Sequence, residues 1–166
     1  FSGTIRPLSI QTLAGSTRPH PLTTSRSRET RYPCRIVCLT EETTETLYLL
    51  GEDWRIVGIS GFTVRPPQAR REKPRVSAFT SAKIDRILAL SPDLVLGFSD
   101  LQAEIAAELV RNGVEVHVFN QRSVADILRV IRTLGGMIGC EAKAAALARW
   151  SARSARKRAG RRSATP

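Results

Sequence analysis

The stretch Ile84-Asp-Arg-Ile-Leu-Ala-Leu-Ser-Pro-Asp-Leu-Val-Leu-Gly-Phe98 decides the fold. Ile84, Ile87 and Leu88 recur at helical spacing on one face, with Ser81 as a cap, and Pro92 forbids the helix to continue. Asp93-Leu94-Val95-Leu96-Gly97 follows, a nearly all-apolar run that suits a strand buried on both faces. Next come a helical pattern from Leu101 to Asn112, with Ile105, Ala106 and Leu109 inward and Gly113 as its stop, and a second strand, Val114–Val118. Strands separated by single helices require a parallel sheet covered on both sides.

The same alternation extends in both directions. Upstream, Arg35–Leu39 reads as strand one, and Thr43 or Thr44 caps a helix through Leu50 that Gly51 stops. Arg55–Ile59 is strand two, and Arg75-Val76-Ser77 is a short third strand after a loop from Ser60 to Lys73 stiffened by Pro66-Pro67. Downstream, Ser123 caps a helix carrying Ile127, Leu128, Ile131 and Leu134, and after Gly139 another helix starts near Glu141 and runs to Trp150. From Arg153 to Arg162 the apolar face is lost. The expected architecture is α/β, a three-layer Rossmann-like lobe with a mostly parallel sheet, spanning residues 34–139. Residues 140–166 read as the start of a long helix running into a basic tail, and residues 1–33, rich in Ser, Thr, Arg and Pro, as a disordered segment.

Charge divides the chain along the same lines. Its 166 residues carry a formal +11. Residues 1–33 account for +4, residues 34–148 are neutral, and residues 149–166 account for +7. A polyanion-binding fold carries its basic stripe on the folded surface, so nucleic acid is not expected on the lobe, and any contact with nucleic acid or an acidic membrane falls to the C-terminal Arg run. No apolar run is long enough to cross a bilayer. Nor is there the apolar stretch of a secretory signal, and Leu13-Ala-Gly-Ser16 resembles a lipoprotein cleavage box with Ser in place of the acylated Cys. The acid-poor N-terminus also fits an organelle transit peptide. Cys34, Cys38 and Cys140 lack the spacing of a zinc site and read as small buried residues, and with His20 and His117 as the only histidines no metal centre is expected.

In open parallel sheets, ligands bind beyond the carboxyl ends of the strands. Thr40, Glu41 and Glu42 follow strand one, Phe62 strand two, Phe79 the short strand, Phe98 the fourth and Phe119 the fifth. Such a rim suits a large, flat, partly apolar ligand; Phe119 reads as ordinary core. Enzyme templates fail: there is no G-x-S-x-G elbow, no Walker loop, and no dinucleotide spacing at Gly58-Ile-Ser-Gly61. No catalytic residue is assigned.

Three blocks then resemble one family in order and spacing. Arg35-Ile-Val-Cys-Leu-Thr-Glu-Glu-Thr-Thr-Glu-Thr-Leu-Tyr-Leu-Leu-Gly51, Ile56-Val-Gly-Ile-Ser60 followed by Arg65-Pro-Pro-Gln-Ala69, and Ile84–Leu96 resemble the cobalamin- and iron-siderophore-binding proteins of ABC importers, most of all the vitamin B12 branch. The resemblance implies two α/β lobes joined by one long helix, a ligand held between them, and delivery without chemical change. It places Phe62, Phe79 and Phe98 against a corrinoid; Thr40 and Glu41 are read as ligand-binding from their place just past strand one. It makes Asp85 the carboxylate that docks on permease subunits. It implies no cofactor other than the ligand and a periplasmic or extracytoplasmic location. The alternative cargo is a ferric siderophore or haem, and for an anionic siderophore Arg65, Arg70, Arg71 and Arg75 of the loop supply converging charge. The family pattern also calls for a second lobe where this sequence turns to Arg, Ser and Ala, so the chain reads as the first lobe alone, cut short or shifted in frame near its end.

Overall fold

A computed structural model describes residues 31–78 and 82–162, with side chains as far as Lys157. Five strands run parallel throughout: β1 Ile36–Cys38, β2 Ile56–Ser60, β3 Arg75–Ser77, β4 Leu94–Phe98 and β5 Val116–Phe119, in the order β3-β2-β1-β4-β5. The helices are α1 Glu41–Leu50, α2 Pro67–Glu72, α3 Ile84–Ala89, α4 Ala103–Arg111, α5 Val124–Met137 and α6 Glu141–Arg162.

Alternation along the strands sorts the core into two layers. Ile36 and Cys38 of β1, with Leu94 and Leu96 of β4, face a cluster completed by Leu47, Val130, Ile131, Leu134, Ala144 and Ala148 of α1, α5 and α6. Their neighbours Val37 and Val95 turn to the opposite face and meet Ile87, Ile105 and Leu109 of α3 and α4. Each such side chain taken from water contributes about 1.5–3 kcal/mol, which explains why a sheet buried on both sides is written in β-branched and leucine residues. The three-layer parallel α/β architecture is the one expected from the sequence.

Local departures have physical reasons. Helix α1 begins at Glu41 with Thr40 at its N-cap, earlier than Thr43 or Thr44. Both threonines are buried and donate their hydroxyls to the Thr40 carbonyl, so they stay within the helix instead of capping it. Gly51 does end the helix, at φ 71°, a conformation glycine adopts without strain. The 60–73 loop contains α2, with Pro67 in its first turn where a missing N–H costs nothing, and the Arg65-Pro66 bond is cis. The helical pattern from Leu101 opens with a 3-10 turn over Asp100–Gln102. Helix α6 continues well past Trp150, because Ala, Arg and Lys are strong helix formers even without an apolar face. Ser81 and residues 1–30 lie outside the described residues.

Candidate functional site

The chain lays down β1, β2 and β3 in one direction and then crosses back to place β4 on the other side of β1. The topological switch therefore lies between the carboxyl ends of β1 and β4, where open α/β sheets bind ligands. Gln102 closes the floor of that crevice. Its side chain is almost fully buried, its Nε2 donates to the Leu39 carbonyl (3.2 Å), and its Oε1 accepts the Phe98 N–H (2.9 Å). The backbone polar groups at both strand ends are thus satisfied beneath the surface.

Above this floor the rim is apolar and open. Phe62 is 64% exposed, Val64 52%, Leu101 57%, Val124 58% and Ile127 46%. Phe98 is half-buried, and the Arg122 guanidinium lies over its ring, 5.7 Å from the centroid, a cation–π distance. Arg122 also donates to Asn120 Oδ1 (3.0 Å) and stands 3.7 Å from Asp100. Phe98, Arg122, Val124, Ile127 and Glu42 line a groove of about 520 Å³. The α5 cap that positions Arg122 is reciprocal: Ser123 Oγ accepts from the Asp126 N–H, and the Asp126 carboxylate accepts from the Arg122 N–H. Those hydrogen bonds, together with Arg129, hold the Asp126 carboxyl below its ordinary range.

The structure gives the sequence candidates different places. Phe62 and Phe98 stand on the rim, while Phe79 lies outside the described residues. Thr40 is buried, with its hydroxyl 3.2 Å from that of Thr43, so it faces the interior at the foot of α1. Glu41 accepts the Val64 N–H (2.8 Å) and Arg65 Nε (3.0 Å), and so ties down the loop that carries Phe62. Burial pushes its carboxyl up, but these partners outweigh burial and the net shift is downward. Asp85 is exposed in the first turn of α3. Phe119 is core, as expected, with His117 against it at 4.4 Å. Burial raises the Cys38 thiol to about 12, so it stays protonated among apolar neighbours. Among the described residues no group of three or more His, Cys, Asp or Glu is placed to hold a metal ion.

Sequence reasoning missed Arg122, Val124 and Ile127. Ile127 shares the helical period of Ile131 and Leu134 and was expected inside. It sits in the first turn of α5 and is 46% exposed, while Ile131 and Leu134 on the same face, one and two turns later, are buried. Val124, an apolar residue directly after a serine cap, was the available signal.

The sequence profile of the periplasmic binding protein family matches residues 36–159. A vitamin B12-binding protein of Pectobacterium carotovorum is 26% identical over 103 residues, which are 61% of this chain and 37% of that protein. Its counterpart in Yersinia pestis is 33% identical over 64 residues, covering 39% of this chain and 22% of its own length. The chain thus spans about a third or less of the curated relatives it matches. Among solved structures, a periplasmic haem-binding protein of Pseudomonas aeruginosa superposes with a TM-score of 0.71 at 23% identity, over 77% of this chain and 46% of that one. The periplasmic vitamin B12-binding protein of Vibrio cholerae does so with 0.68 at 24% identity, over 75% and 49%. Both show the same fold.

Proposed function

The chain belongs to the periplasmic binding protein family, and from that premise we propose that it forms one wall of the ligand cleft of an extracytoplasmic solute-binding protein that captures cobalamin or a related corrinoid and delivers it to an ABC permease. The observation that carries this reading is the rim: Phe62, Val124 and Ile127 stand exposed, and Phe98 half-buried, at the carboxyl ends of a parallel sheet. Apolar area left in water at the place where such sheets bind ligands is area a flat macrocycle buries at about 25 cal/mol per Å². In this reading the ligand is held and released unchanged. Asp85, exposed and free of ion pairs among the described residues, is the carboxylate offered to a permease.

Haem is the second candidate ligand. Haem iron takes an axial ligand from His, Cys, Met or Tyr; the described groove at Phe98 is lined by Phe, Val, Ile, Arg, Gln, Ser and Glu, and His117 lines a neighbouring groove of about 290 Å³ that shares Gln121. Cyanocobalamin brings both axial ligands with it. The Arg set proposed for an anionic siderophore is divided: Arg65 is already engaged with Glu41 and Glu45, and Arg75 lines a separate groove of about 450 Å³ with Lys83 and Arg86. Calorimetric titration with cyanocobalamin tests the reading, with haem and a ferric siderophore as competitors. A saturable heat that neither competitor abolishes is expected. No heat at millimolar cyanocobalamin, or tighter uptake of a ferric chelate, defeats it.

A further inference from the structure

The basic excess of the chain is arranged, not merely present. Helix α6 packs on the body through Ala144 and Ala148. Beyond Ala148, Arg149, Trp150, Arg153, Arg156 and Lys157 are all exposed, and Trp150 is 57% accessible. At about 100° per residue these five side chains fall within an arc of roughly 120°, and the centre of the arc lies nearly opposite the Ala144–Ala148 line. They span about 12 Å along the axis. No carboxylate pairs with any of the four cations among the described residues, and after Glu141 the helix contains no acid.

We propose that this stripe of α6 docks the protein on an anionic lipid surface. One plane touches all five side chains while the body of the lobe stays behind the helix, as a flat partner requires. The opposite face carries Ser151, Ala152, Ser154 and Ala155, so the helix has no apolar side to insert and binds by charge at headgroup level. Trp150, at the margin of the arc, supplies the amphipathic ring that settles at a membrane–water interface. The choice of lipid over nucleic acid rests partly on the extracytoplasmic reading above; the stripe itself does not depend on which ligand the rim takes.

Co-sedimentation of the full chain with vesicles tests this. The chain pellets with 1:1 phosphatidylglycerol–phosphatidylcholine vesicles, stays in solution with phosphatidylcholine alone, and is released by salt. Each charge removed from the stripe weakens partitioning about fivefold, so replacing Arg149, Arg153, Arg156 and Lys157 with Gln lowers it several hundredfold. Gln sustains helix, and circular dichroism checks that it does. A control with Gln at Arg86, Arg111, Arg129 and Arg132 removes the same net charge from other exposed positions and keeps partitioning within tenfold. Equal losses in both variants, retention in the stripe variant, or preference for a 20-bp duplex over the anionic vesicle at matched salt overturns the proposal. The cyanocobalamin titration is run on the same variants, so loss of lipid binding with the heat intact separates this proposal from the ligand reading.

Discussion

The two ends of the sheet are built on opposite principles. At the amino end every loop is tied. Asp93 accepts the N–H groups of Cys34 and Arg35, and Arg35 donates to the Leu90 and Ser91 carbonyls. Arg55 binds the Glu52 carboxylate and the carbonyls of Pro33 and Ile138, and Lys143 of α6 reaches Glu52 and the Leu50 carbonyl. Helix C-termini leave unpaired carbonyls, and here basic side chains collect them. At the carboxyl end Gln102 satisfies the backbone at the ends of β1 and β4 below the surface, and exposed apolar side chains stand outward beside Arg122 and Asp100. The closed end provides stability, and the open end leaves unspent burial for a ligand.

Four outcomes break or sharpen this contrast. The largest effect is at the α5–α6 contact, where a Cβ on Gly135 would sit 2.1 Å from Ala144 Cβ. Gly135→Val forces the helices apart at a cost of about 3 kcal/mol or more, read as a fall in melting temperature of roughly 10 °C. Next, Arg55→Met takes one partner from the nearly buried Glu52, which keeps Lys143 and Trp54, and removes the donor to the Pro33 and Ile138 carbonyls; chemical denaturation should register a loss of about 1–2 kcal/mol with the rim's ligand affinity unchanged.

The third outcome is a pH dependence. Glu52 and Glu41 have folded pKa values below the ordinary carboxylate value; in each, burial pushes upward and is outweighed by partners, Arg55 and Lys143 for Glu52. Their contribution is present above the unfolded value of about 4.3 and is lost as pH falls through the lower folded values. The melting temperature therefore declines on acidification below about pH 4, and Glu52→Gln or Glu41→Gln flattens that decline. The smallest effect on stability is at the rim. Phe62→Ser changes unfolding free energy by about 0.5 kcal/mol or less, while Phe98→Ala weakens corrinoid binding by about 1–3 kcal/mol. A rim substitution that unfolds the lobe would erase the contrast.

Strand positions, layers and most inner helix faces were legible in the sequence because burial on both sides leaves uninterrupted apolar runs, as in Leu94–Leu96, and Pro and Gly mark their limits; the order of the strands in the sheet was not. Phe62 and Phe98 were legible from position alone, each at or just past a strand. Ile127 was not, since its period is that of a core residue although it stands exposed in the first turn of α5. That the Glu41 carboxylate holds the Phe62 loop was not legible either. No spacing rule encodes that contact, because Glu41 and Arg65 meet only once the sheet has formed. Gln102 was likewise silent: a lone Gln after a strand carries no signal until the switch point above it is known.

The central claim is that the carboxyl-end rim, and not another face, receives the ligand. Amide hydrogen exchange followed with and without saturating cyanocobalamin measures this directly. Slowed exchange confined to segments 60–66, 97–102 and 120–128 is predicted, with the amino-end segments around Arg35, Glu52 and Asp93 unchanged. Protection at the amino end, or along α6 with the rim unaltered, would contradict the account.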